Sequence, residues 1–153
     1  MICPLPLSIF MLFLTSLSIT TATIHPTVYI IRHGEQSGDP DDHGLGPVGV
    51  KRAQCLRHVF GAGSPYNIGY IAAPKVKWNG DHRRPYETVL PLATDLGLTV
   101  DTSCKRNQPK CVKKLVKHYK DSGNILVSWR HGKLREIAME LGNRDPPEYP
   151  EDR

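Results

Sequence analysis

Two Arg-His-Gly triplets, Arg32-His33-Gly34 and Arg130-His131-Gly132, are the residues best suited to chemistry in this chain. A histidine with an unprotonated ring nitrogen can attack phosphorus, and a guanidinium is a planar fork that grips phosphate oxygens in pairs, as an ammonium does not. Phosphoryl transfer spreads negative charge over the equatorial oxygens, so its site must hold fixed cations and donors around them. Adjacent guanidinium charge also disfavours imidazolium, which keeps a nucleophile available at mildly acidic pH. A lone histidine at a strand end is usually a polar cap. Two of them, each between an arginine and a glycine, point to an anion site if the fold brings them together.

The elements that would position them alternate strand and helix. Thr27–Arg32 is a β-branched run of buried-strand length that stops at His33-Gly34, and a Gly/Pro/Asp-rich stretch, residues 35–46, follows as a connector or a lid. Val50, Ala53, Leu56, Val59 and Phe60 recur at helical spacing. IGYIAAP from Ile68 reads as a second strand, and Val89, Leu92, Ala93 and Leu96 mark a helix that opens near Pro85, stops at Gly97 and should bend at Pro91. Leu98–Thr102 reads as a third strand. Val112, Leu115, Val116 and Tyr119 form the apolar side of the next helix, opposite Lys110, Lys113, Lys114, Lys117 and Lys120. Asn124–Trp129 is the fourth strand, followed by Leu134, Ile137, Ala138 and Leu141 at helical spacing, with Gly142 as cap. Strands apolar on both faces and interleaved with amphipathic helices predict an α/β fold, a mainly parallel sheet with helices on both faces. Ligands of such sheets sit beyond the carboxyl ends of the strands, where both triplets fall.

These segments resemble the histidine phosphatase superfamily, the phosphoglycerate mutase-like proteins. IIRHGE (30–35) is similar to its Arg-His-Gly signature after the first strand, and LGPVGVKRAQCL to the helix that follows, with the Ala-Gln order reversed. RPYETVLPLA is similar to the Arg-x-x-x-Thr helix opening, which picks Arg84 and Thr88 over Arg83; LVSWRHGKLREI is similar to the strand bearing the second histidine. The resemblance covers residues 27–142 and implies a three-layer sandwich. It implies a phosphomonoester hydrolase in which His33 takes the phosphoryl group, His131 donates a hydrogen bond to it, and Arg32 and Arg84 bind its oxygens. Gly34 and Gly132 would let backbone amides approach the anion. No cofactor is implied, and the absence of Cys-x-x-Cys and His-x-x-x-His pairs gives no metal site.

The departures bear on the reaction. Some branches carry an Asp directly after the second histidine as leaving-group acid, and here that place is Gly132. Asp81, Glu87 and Glu35 are the candidates, with Asp81 first, while Arg130 either adds charge or points outward along the strand. The alternative function is therefore a catalytically impaired phosphate-binding member of the same family. A mutase would need a water-excluding site, for which only residues 35–46 offer a segment. The tail DPPEYPEDR is polar and Pro-rich where family members continue with strand and helix, so the chain reads as C-terminally truncated or as a minimal form with an exposed sheet edge.

Composition sets the outer bounds. The chain has 153 residues, enough for one domain, and 20 Lys plus Arg against 15 Asp plus Glu give a net charge of +5. Residues 1–22 read as a secretory signal peptide, with an apolar core from about Leu5 to Leu17 and small residues Thr20 and Ala22 near a cleavage site, although no Lys or Arg precedes the core. The expectation is a secreted protein whose domain spans 23–153, with no stable membrane span once the leader is removed; an uncleaved anchor is the alternative. Loss of Cys3 would leave Cys55, Cys104 and Cys111, of which the last two flank a turn-rich loop that a disulfide could close, with Cys55 a buried thiol. The expected partner is a small phosphorylated substrate and not a nucleic acid: Lys105, Arg106 and the lysine face of the third helix are basic, but aromatic residues are only 7% and form no stacking series.

Overall fold

A computed structural model describes residues 25–150; the expected leader, 1–22, lies outside the described residues. Four parallel strands, β1 (Val28–Arg32), β2 (Ile68–Ala72), β3 (Val100–Asp101) and β4 (Asn124–Trp129), form one sheet in the order β1-β4-β2-β3. Four helices, α1 (Pro47–Val59), α2 (Arg83–Asp95), α3 (Pro109–His118) and α4 (His131–Glu140), alternate with them. The expected α/β class with helices on both faces is what the chain adopts.

Side-chain alternation along the strands divides the core in two. Tyr29 and Ile31 of β1, Leu126 of β4 and Ile71 of β2 pack with Phe60, Val89, Leu92 and Ala93 beneath α1 and α2. Val28 and Ile30, with Ile125, Val127 and Trp129, pack instead with Val112, Leu134 and Ile137 beneath α3 and α4. Apolar character on both faces follows from this double coverage. The edge strand β1 is half-buried throughout, whereas β4 is fully buried from Ile125 to Trp129.

The register fixes where the triplets emerge. Arg32 lies opposite Trp129 across the β1–β4 pair, and the His33 amide continues the ladder by donating to the Trp129 carbonyl at 3.0 Å. From these neighbouring strands the chain leaves in opposite directions, into α1 on one face and α4 on the other. That divergence opens a crevice at the carboxyl edge of the sheet, the switch point where ligands of open α/β sheets bind.

Some sequence expectations need correction. The third strand is two residues, Val100–Asp101, rather than Leu98–Thr102. Helix α1 does not bury the whole apolar set: Val50 and Val59 are 47% and 43% exposed, and Gly49, Ala53, Leu56 and Phe60 form the packed side. The helix lies so close to the loop after β1 that glycine sets its face, and Gly49, not Val50, takes the contact position. Cys55 is exposed for the same reason of rotation and is not a buried thiol. Cys104 and Cys111 do form a disulfide, with Cα atoms 5.7 Å apart. Helix α2 runs unbroken through Pro91 to Asp95. The tail is not wholly polar, since Pro146 is buried and Tyr149 packs against the α3–α4 side of the core. Among the described residues, no helix is long and apolar enough to cross a membrane.

Residues 35–46 are tied down as a connector. Gln36 and Leu45 form an antiparallel bridge, the Gly46 amide donates to Glu35 O at 2.9 Å, and the Leu45 amide donates to Glu87 Oε2 at 2.9 Å. Arg83 pairs with Asp42 at 2.8 Å and holds the other limb.

A Cβ on Gly49 would run into the Glu35 backbone carbonyl, and one on Gly34 would meet Gly49 Cα at 2.9 Å. Helix propensity favours alanine over glycine by about 1 kcal/mol, but backbone meeting backbone cannot relax by a rotamer change. We expect Gly49→Ala to destabilise by about 1–3 kcal/mol in urea unfolding. Gly38→Ala, whose Cβ meets nothing within 4 Å, should be close to neutral.

Candidate functional site

One cavity of about 460 Å³ at the carboxyl edge of the sheet is lined by Arg32, His33, Glu35, Gln36, His82, Arg84, Pro85, Arg106, Arg130 and His131. All four residues singled out from the sequence, His33, His131, Arg32 and Arg84, meet there. β1 delivers Arg32 and His33, β4 delivers Arg130 and His131, and the first turn of α2 delivers Arg84.

His33 is half-buried, and its Nδ1 lies 2.7 Å from its neighbour's carbonyl, Gly34 O. A carbonyl oxygen only accepts, so Nδ1 carries the proton and Nε2 keeps the lone pair. Burial holds the imidazole below its ordinary value of 6.5, and the charges of Arg84, Arg32 and His131 push it the same way against the Gly34 hydrogen bond. The guanidinium effect expected from sequence is present but second to desolvation. His131 is the exposed first residue of α4.

Thr88 explains the four-residue spacing from Arg84. Its hydroxyl, fully buried, donates to the Arg84 carbonyl at 2.7 Å and accepts the Gly34 amide at 2.8 Å. One side chain therefore ties the opening turn of α2 to the loop that carries His33. This corrects the expectation for Gly34: its amide is committed to Thr88 and is not offered to an anion, and its missing side chain makes room for Gly49. Gly132, in the first turn of α4, is exposed, with the Arg130 guanidinium beside it.

The guanidiniums are arranged to stay available. Arg32 stacks over the Tyr149 ring with its carbon 5.6 Å from the centroid, and its Nη1 is buried without a hydrogen-bond partner. Arg84 donates to Gln36 Oε1, a neutral acceptor. Arg52, Arg57, Arg83 and Arg135 each pair with a carboxylate, yet Arg32, Arg84, Arg106 and Arg130 have none within ion-pair distance among the described residues. Burial lowers the affinity of Arg106 for its proton, and Arg130 and Arg84 add to that. Arg130 thus faces the cavity rather than the outside.

The acid candidates separate clearly. Asp81 is bonded to Lys77 at 2.8 Å and paired with His43 at 3.2 Å; the Lys77 and Asn79 hydrogen bonds hold it at about 2, and it does not line the cavity. Glu87 serves the Leu45 amide and Arg83. Glu35 does line the cavity: it pairs with Arg52, while its Oε2 is buried and unpartnered. Of the three, Glu35 is the one that lines the cavity, whereas Asp81, the first choice from sequence, lies outside it.

His82 and Arg106 are among the lining residues that escaped sequence reasoning. His82 caps α2 in a left-handed conformation, φ 67°, inside a turn with no motif to mark it. Arg106, read as part of a surface basic patch, is brought in by the disulfide-closed loop and by Trp129 Nε1 donating to its carbonyl at 2.8 Å. Among the described residues no group of three His, Cys, Asp or Glu is placed to hold a metal ion.

Thr88→Val keeps the shape but removes the acceptor for a buried amide, and should cost about 1–3 kcal/mol in denaturant unfolding, with Thr88→Ser largely spared. By NMR titration His33 should have a midpoint below 6.5, moving upward in Arg84→Met. Because the folded form binds this proton less readily than the unfolded chain, the His33 contribution to stability is complete above pH 6.5. It is lost as pH falls from there to the depressed value.

A scan of family models and a search of curated proteins return no match for this chain.

Proposed function

We propose that this protein is a phosphomonoester hydrolase acting through a phosphohistidine on His33, as the resemblance to the histidine phosphatase superfamily implies. One observation carries the reading: an imidazole whose Nδ1 is committed to Gly34 O, with Nε2 as its free ring nitrogen, lines a cavity whose four guanidiniums have no carboxylate partner among the described residues. Such an arrangement suits a phosphoryl group, whose charge the arginines match, and a nucleophile that does not need to lose a proton first.

The steps balance with the residues at hand. His33 Nε2 bonds to phosphorus as the bond to the leaving oxygen breaks, and Arg32 and Arg84 hold the equatorial oxygens. His131, with the start of α4 behind it, adds a hydrogen bond and a favourable dipole. Glu35 is the carboxyl group that lines the cavity among the acids weighed; in its protonated form it would give the departing alcohol its proton and recover one from the water that attacks the phosphohistidine. Phosphate leaves and His33 Nε2 regains its lone pair. No cofactor enters this scheme. The Cys104–Cys111 disulfide supports the oxidising, secretory location read from the leader.

The ion pairs that occupy Asp81 favour the second reading, a phosphate binder without turnover. Leaving-group chemistry separates the two. An aryl phosphate departs with little need for protonation, so wild type should hydrolyse it between pH 4 and 8 while His33→Ala falls by at least about 10³-fold, on the scale of losing a nucleophile. Glu35→Gln should lower the rate on an alkyl phosphate by about 10²-fold, and on the aryl ester far less. An acid-labile phosphoenzyme trapped on wild type and absent from His33→Ala supports the hydrolase. Equal rates in both proteins overturn it.

A further inference from the structure

A second cavity, about 750 Å³, opens beside the first and is lined by Lys75, Val76, Lys77, Trp78, His82, Lys105, Arg106, Asn107 and Gln108. His82 and Arg106 line both, so the two cavities adjoin. The walls are held by the backbone: the Lys75 amide donates to Cys104 O at 2.8 Å and the Lys77 amide to Asp81 O at 2.9 Å. The Cys104–Cys111 disulfide and the Trp129 bond to Arg106 O fix the opposite side. The groove therefore exists before any ligand arrives, which lowers the cost of binding.

Its chemistry is specific. Trp78 is 99% exposed at the groove, although tryptophan is on average one of the more buried residue types. The groove lining contains no carboxylate. Lys77 is taken by Asp81, whereas Lys75 and Lys105 have no ion-pair partner among the described residues. Cationic charge also falls into two groups. Arg32, Arg84, Arg130 and His131 line the first cavity alone, Lys75, Lys77 and Lys105 line the groove alone, and Arg106 lines both. A phosphomonoester carries at most two negative charges, fewer than the inner and outer groups together would match.

We propose that this groove receives the leaving group of the substrate, and that the leaving group carries a flat ring, stacked on Trp78, and a second phosphate, held by Arg106, Lys105 and Lys75. The chemical class is that of a nucleoside bisphosphate. This rests on the hydrolase reading for the place of the first phosphate, but not for binding itself.

Binding without turnover tests it. Trp129 is fully buried, so fluorescence of the Trp78 indole reports the groove, with Trp78→Phe as the reference. With His33→Ala protein, adenosine 3′,5′-bisphosphate should quench that signal and bind at least about tenfold more tightly than ribose 3,5-bisphosphate, a typical effect of one aromatic stacking contact. Measured by calorimetry, which needs no indole signal, Trp78→Ala should erase the difference, and Lys105→Glu should erase the advantage of the bisphosphate over adenosine 5′-monophosphate. Both side chains are exposed, so neither change threatens folding. Equal affinity with and without the ring, or no effect of either variant, overturns the proposal, as does tighter binding of a 5′-phosphorylated oligonucleotide. Tight ring-dependent binding with no hydrolysis by wild type would instead sink the hydrolase reading and leave the groove standing.

Discussion

Uncompensated positive charge at one edge of a parallel sheet is the constraint on which the rest of this structure depends. Helices α2 and α4 both begin there, where their dipoles are positive, and neither has an acidic residue in its first turn. Each instead opens with basic groups, His82-Arg83-Arg84 and Arg130-His131. Anionic side chains at a helix start stabilise by about 0.3–1 kcal/mol; cations there work the other way. The fold accepts this because packing holds the groups in place: Tyr149 beneath Arg32, Thr88 between Gly34 and Arg84, and the Trp129 carbonyl on the His33 amide.

The same constraint accounts for the distribution of acidic residues. Asp42, Asp81, Asp95 and Glu87 are engaged with Arg83, Lys77, Arg57 or backbone amides, all away from the crevice. A carboxylate free to swing inward would neutralise an arginine and compete with an incoming anion. Glu35, the carboxylate in the cavity lining, is restrained on one oxygen by Arg52, which leaves the other buried and without a hydrogen-bond partner. Thr88 belongs to the same logic, since its hydroxyl satisfies the Gly34 amide and ties it to the Arg84 carbonyl in the first turn of α2.

Much of this was legible in the sequence because its signals are local. β4 is Asn124–Trp129 as read, since a continuous apolar run bounded by Gly123 and Arg130 has few other ways to fold. Both histidines were placed by one inference, that parallel strands bring their carboxyl ends to a shared edge, and the Arg32–Trp129 register makes them neighbours. What escaped depends on partners far away in the chain. The face of α1 is set by Gly49 against Glu35, so the valines that dominate its hydrophobic pattern turn outward. Arg106 looks like surface charge until Cys111 and Trp129 draw its loop over the sheet. His82 has no pattern at all, only a turn whose left-handed residue must cap α2.

An edge held in this state is least stable when empty. Like charges at separations of several ångströms repel by about 1 kcal/mol or more where water is partly excluded, and a dianion bound among them would add attractions that offset this repulsion. Its affinity for the folded chain then adds to folding stability as the logarithm of its concentration over its dissociation constant. The rigid elements that converge on the crevice, two helix starts, two strand ends and a disulfide-closed loop, limit how far the charges can move apart in the meantime. Preorganisation and local destabilisation are thus two aspects of one feature: elements that hold the guanidiniums together against their repulsion would spare an entering anion the cost of gathering them.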